Sequence, residues 1–137
     1  MQFFLLLHQW QDFGLIVLRL AIGAIFLVHG TGKWAMWATK PSDYMSAGML
    51  NLMRFLSIVE PLGAIAILAG FLTQLAAAGL SIIMLGAIYL KITAWKSPFS
   101  ANDKLGWEFD FVIIGGTISL FLSGAGQYAL DRLWFGL

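Results

Sequence analysis

Four apolar stretches, each close to the length of a bilayer crossing, dominate this chain: about 13–30, 52–72, 75–94 and 109–123. About 20 apolar residues cross a hydrocarbon layer as a helix. The apolar runs are continuous rather than alternating, which indicates helices and not barrel strands. A helix also satisfies its own backbone where no water is available. The expected fold is therefore all-α: an integral membrane four-helix bundle with antiparallel up-down topology. One domain over residues 1–137 is expected, in the cell (inner) membrane as a multi-pass protein. Charged residues make up 11% of the chain, against about 25% in a soluble domain. So few charges cannot coat a water-exposed particle, and the lipid bilayer is the first expected partner. The third and fourth stretches are short and take Trp95 and Trp107 as flanks.

The six tryptophans, Trp10, Trp34, Trp37, Trp95, Trp107 and Trp134, all fall at or beyond the ends of these stretches, as in an interfacial aromatic belt. Met1–Leu7 is apolar but lacks a basic region and a cleavage site. It reads as an interfacial lead-in containing Phe3 and Phe4, not as a signal peptide. Spans two and three join through a very short turn around Thr73 and Gln74. In loop one, Pro41, Ser42 and Asp43 form a candidate stop and N-cap for a short interfacial helix. Gly115, Ser119 and Ser123, and likewise Gly79 and Gly86, have the spacing of small-residue helix seams.

Charges inside the spans carry the functional signal, because each costs on the order of 2.5–3.5 kcal/mol to insert. Arg19 shares a helix face with Gly23, Phe26 and Gly30; Glu60 shares one with Gly63, Ala64, Ile67 and Gly70. Helical rise places the two about 9 Å apart in depth. Two readings follow: a structural Arg19–Glu60 ion pair, or a ligand or proton site using Glu60. Lys91 and Asp110 are at similar depth and form a second candidate pair, although Lys91 and Lys33 could also snorkel to the headgroups. With His29, Asp110 and Glu60 could line one pocket toward the loop-one and loop-three face. The ligand-binding candidates are Glu60, Arg19, Asp110 and His29.

Several chemistries are disfavoured. The chain has no cysteine, which excludes disulfides, thiol catalysis and thiolate-held metals. Its two histidines, His8 and His29, would lie about 32 Å apart on one helix, so they cannot sandwich a haem. No metal motif, phosphate-binding glycine loop or hydrolase triad stands out. The net charge of +1 indicates no nucleic-acid partner.

An ordered set of short motifs resembles the DoxX family of small four-span membrane proteins: Leu18-Arg19-Leu20, His29-Gly30-Thr31-Gly32-Lys33-Trp34, Glu60-Pro61-Leu62-Gly63, Gly70-Phe71-Leu72-Thr73, Gly106-Trp107-Glu108-Phe109-Asp110 and Gly124 to Asp131. The resemblance implies a four-helix membrane fold and a link to redox metabolism, one branch serving as a membrane subunit of a thiosulfate:quinone oxidoreductase. It marks Arg19, Lys33, Glu60 and Asp131 as positions to test. The chain departs from the family at Gln74, Ala125 and Gln127, where arginine, proline and arginine are common. Lys33, Lys40, Lys96 and Lys104 make loops one and three the basic face, which the positive-inside rule puts in the cytoplasm. The resemblance implies the opposite orientation.

Three functions follow as expectations. The first is a membrane subunit of a quinone-linked oxidoreductase, or a binder of a small lipophilic molecule between the helices. No electron carrier is evident in the chain. A quinone is the cofactor this reading implies, and another membrane or peripheral redox subunit would supply electrons. The second is a non-catalytic membrane adaptor or assembly subunit, and the third a transporter or channel element. An oligomer is compatible with each.

Overall fold

A computed structural model of the chain describes residues 6–102 and 105–136. Four main helices pack antiparallel: α1 (Gln11–Gly32), α2 (Ala47–Ala69), α3 (Thr73–Thr93) and α4 (Glu108–Ser123), followed by a short α5 (Leu130–Phe135). A 3-10 turn, Leu6–Trp10, precedes α1, and another, Lys33–Trp37, follows it. Phe3, Phe4 and Lys104, used in the sequence reading, lie outside the described residues. Three segments, Leu6–Trp37, Ala47–Ala69 and Thr73–Thr93, are long and apolar enough to cross a membrane. The 16 residues of α4 rise about 24 Å, short of a full crossing by themselves.

The bundle is apolar on both sides of its surface. Leu15, Ile22 and Phe26 meet Ala64 and Ile67, Leu80 and Met84, and Ile113 and Leu120 in the core. Outside, Val28 is 69% exposed, Ile82 69% and Leu122 73%. A soluble helix would turn such residues inward, so these faces belong against acyl chains. This is a multi-pass membrane protein. α1 packs most extensively on α2, and α3 on α4.

Both charged helix faces named from the sequence do turn inward: Arg19, Gly23, Phe26 and Gly30 are buried on α1, as are Glu60, Ala64 and Ile67 on α2. The small-residue seams differ from the expected ones. Gly79, Gly86 and Gly115 have open space where a side chain would stand, and Ser119 and Ser123 are exposed. The close approaches occur instead at Gly23 against Leu68, Gly30 against Pro61, Gly63 against Leu80 and Gly116 against Ile22. A Cβ on Gly30 would stand 2.4 Å from Pro61 Cδ.

Pro61 lies inside α2 yet does not break it. It has no N–H, so the carbonyl of Ser57, four residues back, loses its helical donor. Trp34 replaces it: its indole Nε1 donates to Ser57 O at 3.0 Å. Trp37 Nε1 donates to Ser57 Oγ at 2.9 Å. The 3-10 turn after α1 is thus pinned to the proline site of α2.

The connections also correct the sequence reading. The cap of α2 is Ser46, whose side chain accepts from Met49 N at 3.2 Å. Pro41–Asp43 instead belongs to a tight turn closed by Ser42 and Met45. The α2–α3 turn lies at residues 70–72, and Thr73 already begins α3. There Gly70 has φ 66° and Leu72 φ 48°. The left-handed Leu72 is held by Asp131, whose carboxylate accepts from Leu72 N at 2.6 Å and from Thr73 N at 2.9 Å.

Candidate functional site

The two inner charges do not meet. α1 and α2 run antiparallel with Gly30 beside Glu60 and Pro61, and with Arg19 beside Gly70. Arg19 and Glu60 are therefore about ten residues apart in level, about 15 Å along the axis. The sequence estimate placed them closer because it set Arg19 about six residues below the end of the bundle, whereas Arg19 lies level with the α2–α3 turn at Gly70.

Arg19 is 5% exposed and is enclosed by backbone. Its Nε donates to Ile67 O at 2.9 Å, Nη2 to Leu68 O at 2.7 Å, and Nη1 to Ala125 O at 3.2 Å and Tyr128 O at 3.0 Å. The first two carbonyls lie near the C-terminus of α2, where partial negative charge accumulates. The other two belong to the segment that follows α4. A guanidinium carries five N–H donors in a rigid fork, which suits several carbonyls at once. Arg19 therefore joins the α2 end, the hairpin turn and the C-terminal segment. Asp131 ties the same turn from the other side, since its backbone N–H donates to Gly70 O at 2.8 Å.

Glu60 is 2% exposed and pairs with Lys33, which reaches down from just past α1. Lys33 Nζ also donates to His29 O at 3.2 Å. Lys33 was marked by the family motif but was absent from the sequence-derived ligand and ion-pair candidates. The signal for it was its place one turn beyond His29 on the side of α1 that faces Glu60. On α3 and α4, Lys91 Nζ stands 2.6 Å from Asp110 Oδ2. The two form a buried ion pair, with Asp110 5% exposed. The Lys91 hydrogen bond goes to Gly106 O at 3.3 Å. Gly106 is required there, because a Cβ would stand 2.1 Å from Phe99 O.

Both ion pairs line one cleft of about 480 Å³. α2 and α3 are close at the Gly63–Leu80 contact near their shared turn. Beyond it the cleft opens between Leu52–Glu60 of α2 and Ile82–Lys91 of α3, with Trp95 just past α3, and with Phe26 and His29 of α1 and Phe109 and Asp110 of α4 behind. Its outer wall is apolar: Phe55 is 59% and Ile82 69% exposed, so the mouth faces the acyl region. The His29 ring lies 5.7 Å from that of Phe109, tilted by 40°. Of the ligand-binding candidates, the structure gathers Glu60, Asp110 and His29 around one space and sends Arg19 to the opposite end of the bundle. Among the described residues no three His, Asp or Glu side chains gather as a metal-binding group.

A family model described as DoxX matches residues 14–93 of this chain. CatD of Bacillus subtilis (strain 168), provisionally named an oxidoreductase, is 28% identical over 125 residues, covering 90% of this chain and 89% of CatD. The inner membrane protein YqjF of Escherichia coli (strain K12) is 30% identical over 129 residues, covering 93% of this chain and 96% of YqjF. The membrane protein Rv3486 of Mycobacterium tuberculosis is 31% identical over 139 residues, covering 93% and 85%. No solved structure matches.

Proposed function

This chain belongs to the DoxX family, and on that premise we propose that it binds a small lipophilic molecule of quinone-like character in the cleft between α2 and α3. The observation that carries this reading is the placement of two ion pairs, Lys33–Glu60 and Lys91–Asp110, inside an otherwise apolar space whose mouth faces lipid. Ligand sites have this composition: mostly apolar walls with a few convergent polar groups. A ring and its tail would enter sideways from the membrane. The ammonium and carboxylate groups would then hydrogen-bond the polar head, and Glu60 or Asp110 could hold its protons.

In this reading a redox partner supplies the electrons, with this chain as the membrane subunit. The oxidoreductase name of CatD supports that assignment, and the name of YqjF supports placement in an inner membrane.

The test uses Gly86, which lines the cleft and has open space around its Cα. Gly86→Trp adds an indole at the cleft lining and leaves both ion pairs unmutated. Binding of a decyl-quinone to wild-type protein in lipid nanodiscs should be saturable, and Gly86→Trp should reduce it at least tenfold while helix content is kept. If quinone binds neither protein, or both equally, the reading fails.

A further inference from the structure

We infer that the cleft selects an uncharged amphiphile whose head carries a hydroxyl group; the inference rests on the proposed function for its location and goes beyond it in the ligand's chemistry. For a quinone-like ligand the favoured species is then the reduced, hydroxyl-bearing form.

Three observations converge on this class. First, the charges facing the cleft cancel. Lys33 and Lys91 bring two positive charges, and Glu60 and Asp110 two negative ones, each in contact with its opposite. His29 is the further titratable group on this lining. An anionic or cationic head would give up its water and find no net countercharge. Second, Asp110 is 5% exposed and lines the cleft, where its carboxylate contacts Lys91 through Oδ2. Lys91 occupies one side of a carboxylate that has about four acceptor positions, which leaves others for an incoming donor. A carbonyl or ether cannot use them; an O–H can. Third, both ammonium groups keep unused donors. An ammonium has three N–H bonds. Lys33 directs its own to His29 O and Glu60, and Lys91 bonds Gly106 O. A head that both donates to Asp110 and accepts from an ammonium satisfies each side. A hydroxyl does this with one oxygen.

The experiment is competition for a diazirine-bearing long-chain alcohol, photo-crosslinked to the full chain in lipid nanodiscs at pH 8 and mapped by mass spectrometry. The competitors share one twelve-carbon chain: 1-dodecanol, dodecyl methyl ether, dodecanoate and dodecylamine. Crosslinks are expected at cleft residues such as Phe55, Ile82 and Trp95. Dodecanol should compete about tenfold better than the ether, the ratio for one hydrogen bond to a charged group. Dodecanoate and dodecylamine should compete less well than dodecanol. In the double variant Lys91→Met, Asp110→Leu, which removes both charges together, the advantage of alcohol over ether should fall to parity. Crosslinks in the cleft that all four compounds compete equally overturn the hydroxyl inference and leave the cleft occupied. An absence of cleft crosslinks overturns the proposed function as well.

Discussion

Replacing Arg19 with Met should destabilise the protein severely while sparing the cleft. Met keeps much of the side-chain volume and removes all the donors. Four carbonyls accept from the guanidinium, those of Ile67, Leu68, Ala125 and Tyr128. Ile67 O also accepts from Gly70 N, so the loss falls chiefly on the other three. A buried acceptor left unpaired costs about 1–3 kcal/mol. Some will relax or recruit water, because Tyr128 is exposed. The sum is then about 4 kcal/mol, a large share of a typical total of about 5–15 kcal/mol. Arg19→Lys should recover less than half of this, since an ammonium has fewer donors and no planar fork. Reversible unfolding in mixed detergent micelles, followed by tryptophan fluorescence, would measure both variants. In folded Arg19→Met, binding of the cleft probe should equal wild type. Wild-type stability in this variant, or normal stability with lost binding, would refute the structural role of Arg19.

Other perturbations separate the remaining elements. Glu60→Gln or Lys33→Met alone should cost about 3 kcal/mol by stranding a partly buried charge, whereas the double variant Lys33→Met, Glu60→Leu should cost less than either, in a double-mutant unfolding cycle. Gly30→Ala should destabilise by at least about 1 kcal/mol through collision with the rigid Pro61 ring, while Gly115→Ala, placed in open space, should be neutral; equal effects in thermal unfolding would count against the seam assignment. Trp34→Phe should lose about 1–2 kcal/mol, because the Ser57 carbonyl then lacks a donor. Asp131→Ala should loosen the left-handed turn at Leu72, read as faster amide exchange at residues 72 and 73.

The helices were legible because apolar runs of spanning length have few alternatives, and their inward faces because a charge in lipid must turn toward protein. The Lys91–Asp110 contact was legible from the similar depth of the two residues near their span ends. Register between α1 and α2 was not legible, since the residues between Gly32 and Ala47 leave many offsets open. That offset decides whether Glu60 meets Arg19 or Lys33. The partners of Arg19 were hidden for a different reason: they are backbone carbonyls, and side-chain identity does not specify them. The seams failed on rotation. Gly115 and Gly116 are neighbours, but one residue turns the helix by about 100°, so Gly116 meets Ile22 while Gly115 faces outward. The carbonyl released by Pro61 could be inferred at Ser57, but its capture by Trp34 depends on the 3-10 turn after α1.

Occupancy of the cleft is most directly read by native mass spectrometry of the protein released from bilayer nanodiscs made with the host membrane's own lipids. Wild type should carry one small lipophilic adduct that Gly86→Trp lacks, with the two proteins equally helical. The same adduct on both proteins, or none on the wild type, would contradict a ligand site between α2 and α3.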